Sequence, residues 1–164
     1  MIDLTGRTDA ANWELLQGLR QVSRARGVLG RKVPLATTVT GTPAKLNWNE
    51  VATSVRVIAD AALDQITLGG DPGQEWYATL SVNVELIINA NNGEVTITLF
   101  KNDVATSLKA KAVATENNSV VSLNLALIAK VLEGDIVDVR ISGTSNCTFT
   151  EGVFMVVVEQ GLPI

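Results

Sequence analysis

The segment YATLSVNVELIINA, residues 77–90, decides the fold class of this chain. Its apolar side chains recur at every second position, namely Ala78, Leu80, Val82, Val84, Leu86, Ile88 and Ala90. The positions between them begin with Thr79, Ser81, Asn83 and Glu85. Because successive side chains of a β-strand point to opposite sides of a sheet, this alternation predicts a long strand with one buried and one solvated face.

The two-residue period continues towards the C-terminus and is interrupted by short turn segments. Asn91-Asn92-Gly93 follows the first strand, and these residue types accept the positive φ of a tight turn. Residues 94–100 then return with alternating apolar side chains, which predicts a hairpin with the first strand. Further strands are predicted at 120–127, 136–142 and 153–160, and weaker ones near 45–49, 53–59, 63–68 and 106–115. This total of eight or nine strands predicts an all-β sandwich.

The N-terminal part of the chain follows a different pattern and is predicted to form an arm. Residues 8–26 repeat apolar side chains at intervals of three, which indicates one helix with an apolar stripe. The stripe consists of Trp13, Leu16, Leu19 and Val22. Residues 27–43 are rich in Gly, Pro and Thr and are predicted to form an extended linker. The predicted domains are therefore an arm at 1–43 and a sandwich at 44–164, and the stripe packs either on its own domain or on a partner chain.

Charge is unevenly distributed between these two parts. Residues 1–45 carry seven basic and three acidic residues, a net charge of +4, whereas the remainder carries six basic and fourteen acidic residues, a net charge of −8. A basic arm ahead of an acidic body predicts that the arm docks on a negative partner surface. The arm offers only Trp13 as an aromatic residue, so nucleic-acid binding is not expected.

The residue types present argue against catalysis. The chain has no histidine and one cysteine, Cys147, which removes the usual general base and the usual zinc ligands together. Glu133, Asp135 and Asp138 could form a carboxylate pair or, with Asp71, a calcium site, but they surround a Gly turn and lack a calcium-loop spacing. We therefore expect no enzymatic activity, no cofactor and no metal.

Targeting signals are equally sparse. No apolar run approaches the roughly 18 residues that span a membrane, and the first ten residues lack the pattern of a signal peptide. We therefore expect a protein that is made in the cytoplasm and has no membrane contact.

Motifs in the last hundred residues resemble the C1q/tumour-necrosis-factor (TNF) type of jelly roll. They are an aromatic residue that opens a long alternating strand (Trp76-Tyr77-Ala78), a strand that ends in Leu99-Phe100-Lys101-Asn102-Asp103, the strand entry Leu132-Glu133-Gly134-Asp135-Ile136, and a terminal strand that holds Phe154. Asp103 stands where members of this family usually have Gly. The resemblance covers about residues 64–160 and implies an all-β jelly-roll β-sandwich that follows the helix-containing arm.

The same resemblance implies a homotrimer and, with the cytoplasmic origin expected above, a bacteriophage virion protein. Family members usually assemble around a three-fold axis, and the continuous apolar run Val153–Val158 needs cover on both of its faces. We expect Phe154, Val156 and Val158 to form the trimer interface. The arm would bind the major capsid protein or another virion protein through apolar anchors and basic side chains, which are Trp13, Leu16, Leu19, Arg20, Arg24, Arg26, Arg31 and Lys32.

Two functions remain open at this point. In one, the trimer is a cement or decoration protein on the capsid surface. In the other, it is the receptor- or glycan-binding tip of a tail or head fibre. The loops are dominated by Asn, Gly, Ser and Thr rather than by aromatic residues, which favours the decoration role.

Overall fold

The computed structural model describes residues 25–69 and 75–159, which form two six-stranded antiparallel sheets. Sheet A contains β1 (Ala25–Arg31), β2 (Leu35–Thr37), β4 (Glu50–Val55), β7 (Trp76–Ile88), β10 (Ser119–Val131) and β12 (Cys147–Glu159). Sheet B contains β3 (Ala44–Lys45), β5 (Val57–Asp60), β6 (Gln65–Leu68), β8 (Glu94–Lys101), β9 (Val104–Val113) and β11 (Ile136–Gly143). The described part of the chain thus has twelve strands where the sequence predicts eight or nine, because β1 and β2 fall in the predicted arm and the weak strand predicted near 53–59 corresponds to two strands, β4 and β5.

The strand order is that of a jelly roll. Sheet A runs β10-β7-β12-β1-β4 with β2 beside β12, and sheet B runs β5-β6-β11-β8-β9 with β3 beside β11. Except for the β5–β6 and β8–β9 pairs, strands that are neighbours within a sheet are not consecutive in sequence, and β7 and β8 lie in different sheets. The predicted hairpin between residues 77–90 and 94–100 is therefore wrong. Asn92 does adopt the positive φ of a turn, but the turn carries the chain from sheet A to sheet B, and β8 forms its hairpin with β9.

The core lies between the sheets and consists of the inward side chains of each strand. The alternation in β7 is confirmed: Ala78, Leu80, Val82, Val84, Leu86 and Ile88 are all buried. They share the core with the inward residues of sheet B, which include Val95, Ile97, Leu99, Val137, Val139 and Ile141. Trp48 closes one part of this core, with its ring 5.3 Å from that of Phe149 and 6.2 Å from that of Phe154. Full burial of side chains of this size stabilises the fold by about 1.5–3 kcal/mol each.

The beginning of the sandwich differs from the predicted domain boundary at residue 44. Strand β1 lies inside sheet A between β12 and β4, with Ala25 opposite Val158 and Arg31 opposite Gly152. A Cβ atom on Gly27 would lie 2.8 Å from Val57, so this glycine lets sheet B approach β1 closely. Gly27, one of the glycines that suggest a linker, is thus a packing residue, and the sandwich begins no later than Ala25. Residues 8–24 of the predicted helix lie outside the described residues. No helix that could span a membrane occurs in the part of the chain that the structure describes.

Candidate assembly interface

The outer face of sheet A is formed by the side chains that point away from sheet B. Strand register places its central residues in three rows, read from β10 to β4. The rows are Ile128–Thr79–Val157–Arg26–Val55, Ala126–Ser81–Met155–Val28–Thr53 and Asn124–Asn83–Val153–Gly30–Glu50.

These rows are nearly free of charge. Arg26 and Glu50 are their only ionisable members, and both lie towards the β1–β4 side. Large apolar side chains are exposed here: Ile128 is 70% exposed, Val153 47% and Val55 43%. Protein interfaces are depleted of charge at their centres, and a contiguous exposed apolar face on a β-sandwich marks a contact surface. The outer face of sheet A therefore has the composition of an interface core.

The face is also indented. One depression of about 440 Å³ is lined by Ser81, Asn83, Asn124, Ala126, Val153 and Met155. A second of about 440 Å³ lies beside it over β1, β4, β7 and β12. Depressions of this kind can receive side chains of a partner, which a flat sheet cannot do.

One end of the face is acidic. Glu85 on β7 lies directly opposite Glu151 on β12, and both line the second depression with Glu50. Glu85 accepts a hydrogen bond of 3.0 Å from the Thr150 hydroxyl. Lys32 donates to the Glu50 carboxylate at 3.0 Å. Like charges that face each other across two strands destabilise the pair, so this end is a rim rather than part of the apolar centre.

The residues predicted for the trimer interface lie on the wrong face of β12. Phe154 and Val156 are fully buried and Val158 is 4% exposed, because all three point into the sandwich core. The residues of β12 that point outward are Val153, Met155 and Val157. The expectation that one face of this strand needs a neighbour still applies, but to the alternate set.

Three of the predicted arm cations belong to the sandwich. Arg31 is only 5% exposed, donates from Nη1 to the Asn47 carbonyl at 2.9 Å and lies over the Phe149 ring. Burial lowers its pKa, and the nearby Asp64 acts in the opposite direction. Lys32 pairs with Glu50, and Arg26 extends from β1. The prediction of a docking role is wrong for Arg31, whose guanidinium is occupied inside its own subunit.

The remaining arm residues lie outside the described residues, namely Trp13, Leu16, Leu19, Arg20 and Arg24. Residues 1–24 carry three basic and three acidic side chains, so their formal side-chain charge is zero. The net positive charge of residues 1–45 therefore comes from the start of the sandwich and not from residues 1–24.

The outer face of sheet B is built differently, around a buried carboxylate. Asp138 is 1% exposed and accepts two hydrogen bonds from Arg140, from Nε at 2.7 Å and from Nη2 at 3.0 Å. Arg140 also bonds to Asp103 and lies 4.2 Å above the Phe100 ring. The hydrogen bond with Asp138 raises the pKa of Arg140 most, against the effect of burial, and the bond with Asp103 adds to it. Lys45 adds a second cation 3.8 Å from Asp138. This network satisfies its own charges and leaves no unmatched group for a ligand.

Two of the acids considered as a catalytic or calcium site, Asp135 and Asp138, have structural partners, and Asp71 lies outside the described residues. Asp135 accepts 2.7 Å bonds from Lys101 and Asn102 and a 2.8 Å bond from the Leu132 amide, which hold the turn before β11. Burial raises its pKa, but these bonds outweigh burial, and the net pKa lies below the usual value. Within residues 25–69 and 75–159, no group of three potential ligands could hold a metal ion.

The sequence matches no protein-family model and no curated protein. Solved structures nevertheless share its fold. The Eiger TNF of S. frugiperda is similar with a TM-score of 0.61 and 9% identity, over 86% of this chain and 96% of that chain. The globular domain of zebrafish complement 1qA protein is similar with a TM-score of 0.55 and 10% identity, over 82% of this chain and 96% of that chain. The C1q/TNF-like jelly roll that the sequence motifs imply is therefore confirmed as the fold.

Proposed function

We propose that this chain is a non-enzymatic structural module that assembles as a homotrimer through the outer face of sheet A. The observation that carries this proposal is the nearly uncharged, apolar and indented surface formed by β10, β7, β12 and β1. A surface of this composition would promote aggregation if it stayed in water, so a defined partner is required. Members of the family that the sequence resembles usually form trimers, which supports two further copies of this chain as the partner.

The edge of sheet A also favours copies arranged in a ring. Strand β10 pairs on one side only, with β7, and displays Val120 at 61% and Ile128 at 70% exposure. This unpaired edge of thirteen residues, with two exposed large apolar side chains, needs cover as the adjacent face does. In a heterologous contact, the edge of one copy lies against the face of the next, and repetition of this contact closes a ring.

We further propose that the trimer is a bacteriophage virion protein that decorates the capsid surface, with residues 1–24 in contact with the shell. Trp13, Leu16 and Leu19 would be the apolar anchors of each copy, and Arg20 and Arg24 would supply charge at its end. Three arms on one particle would bind three shell subunits at once, which can raise avidity by ~10²–10⁴. The competing function is a fibre tip whose loops bind a receptor or glycan.

Sedimentation velocity over a wide concentration range tests the assembly step. We expect one species with three times the mass of the 17.4 kDa chain. A single-chain species at high concentration would overturn the proposal, and a uniform dimer would overturn the three-fold arrangement.

Binding to undecorated capsids tests the virion step. The full chain is expected to bind shells and protect them against heat, whereas a chain that begins at residue 25 is expected to stay trimeric without binding. Equal binding by both would show that the N-terminal segment is not the shell contact. Capture by host cells or glycans alone would favour the fibre tip.

A further inference from the structure

Two asparagines lie at the centre of the outer face of sheet A. Asn83 on β7 is directly opposite Asn124 on β10, and the other neighbour of Asn83 across the sheet is Val153. Residues directly opposite each other in antiparallel strands have Cβ atoms about 4.5–5.5 Å apart. The two amides therefore form one polar pair among the apolar and small side chains that line the same depression.

Within the subunit, the side-chain amides of Asn83 and Asn124 make no hydrogen bond to described residues. Both side chains are exposed, and among the described residues neither is a donor or an acceptor in any side-chain hydrogen bond. Some other asparagine side chains of the sandwich differ in this respect: Asn117 accepts a 2.7 Å bond from the Asn91 amide, and Asn146 accepts a 2.9 Å bond from the Val39 amide. Strand positions also disfavour asparagine, since β-branched and aromatic residues fit the pleated surface better.

An amide behaves differently once its surface is covered. Each asparagine side chain has two donors and one acceptor group, and a covered amide without partners loses its hydrogen bonds to water. Only arrangements that supply partners to both amides are then stable. A buried asparagine in a coiled coil fixes register and oligomer state in this way, at a cost in affinity.

We infer that the Asn83–Asn124 pair forms a polar layer inside the contact with a second copy of the chain and determines which assembly forms. This inference rests on the assembly proposed above. The neighbouring apolar side chains, Ala126, Val153 and Met155, supply affinity but little direction, because aliphatic side chains tolerate sliding. The two amides determine how the copies are aligned, because a copy bound in a shifted position would leave the amides without hydrogen-bond partners.

The test uses the full chain with the double substitution Asn83→Leu and Asn124→Leu. Because both side chains are exposed in the subunit, circular dichroism should show an unchanged β-sandwich. Sedimentation velocity and native mass spectrometry should show that the single species of the natural sequence is replaced by two or more oligomeric states. A second variant, with Thr at both positions, keeps hydrogen-bonding groups and should retain more of the single species than the leucine variant.

The matched control is Ser107→Leu, which adds an exposed leucine to β9 on sheet B and should leave the assembly unchanged. A leucine double variant that remains one uniform trimer would overturn the inference while leaving the trimer itself intact. A natural chain that is monomeric at all concentrations would overturn both. New oligomers in the Ser107→Leu control as well would also overturn the inference, because any added apolar group would then suffice.

Discussion

The two outer faces of the sandwich solve the problem of exposure in opposite ways. On sheet B, the buried Asp138 is neutralised by Arg140 and Lys45, and the Arg140 guanidinium covers the Phe100 ring. On sheet A, the central rows have almost no charge, and their aliphatic side chains stay exposed. The sheet B face thus pairs its central charges within the subunit, although Ile58, Val104 and Val113 are exposed on its strands, and we propose that a second copy covers the sheet A face. Substitutions on the two faces should therefore disturb different equilibria, association for sheet A and folding for sheet B.

The largest effect is expected from a charge at the centre of the outer face of sheet A. Met155→Glu should leave the subunit folded but weaken association by about 10²–10⁴-fold, since an unpaired charge covered by a partner costs about 3–5 kcal/mol. Sedimentation at several concentrations measures this. Thr96→Glu, which places the same charge on the outer face of sheet B, is the matched control and should have no effect on association. Equal loss in both variants would contradict the assignment of the two faces.

A smaller effect is expected on folding when the sheet B network is broken. Asp138→Ala removes the buried partner of Arg140 and should lower the free energy of unfolding by about 3 kcal/mol, with the oligomeric state unchanged. Urea unfolding at fixed protein concentration measures the change. The control is Glu94→Ala, which removes the exposed partner of Lys111 and should cost less than about 1 kcal/mol. Comparable losses would mean that Asp138 is not the centre of the network.

Acid should weaken the turn before β11 through Asp135. Because the pKa of Asp135 is lowered in the folded chain, its contribution is present above the unfolded value of about 3.9 and is lost as the pH falls through the lower folded pKa. Asp135→Asn should therefore cost about 2 kcal/mol at pH 6 and less than that at pH 3. Urea unfolding at both pH values checks the difference. A variant whose deficit is the same at pH 3 would contradict a role for the ionised carboxylate.

The smallest effect is expected at the β8–β9 turn. Asp103 has a φ of 63°, a conformation that favours glycine, yet its carboxylate bonds to Arg140. Asp103→Gly relieves the backbone and removes an ion pair whose acid is 86% exposed, so the net change in unfolding free energy should stay within about 1 kcal/mol. Thermal unfolding measures it. Asp103→Ala is the informative comparison, because it loses the ion pair without relieving the backbone and should be less stable than Asp103→Gly.

The sequence predicts the sandwich well wherever one face of a strand is buried and the other is wet. The alternation of residues 77–90 predicts β7 almost to its ends, and the turn asparagines Asn92 and Asn118 both have positive φ. The pairing of strands is less predictable, because the same turn residues can join two neighbouring strands of one sheet or carry the chain from one sheet to the other. For this reason the sequence predicts a hairpin between residues 77–90 and 94–100, whereas in the structure β8 pairs with β9.

The candidate interface was predictable only in part. When a strand is apolar at successive positions, the sequence indicates that both of its faces need cover. It does not indicate which of the two faces packs into the core of the sandwich. In β12 the larger Phe154 faces inward because Trp48 packs on it, and Val153 faces outward. Trp48 lies in a loop after β3, within the segment 45–49 that the sequence predicts only as a weak strand, and this pattern does not reveal the contact with Phe154. Arg31 likewise resembles a surface cation in sequence, and only the fold places it over Phe149.

The pairing of Ala25 with Val158 has a topological consequence. The polypeptide enters and leaves the sandwich side by side, so a short peptide linker could join these two points without crossing the molecule. New termini opened at the Asn117–Ser119 turn would then give a circular permutant with the same sheets. Cargo fused at residue 25 or residue 159 would emerge from one pole of each subunit, which makes the scaffold suited to one-sided display.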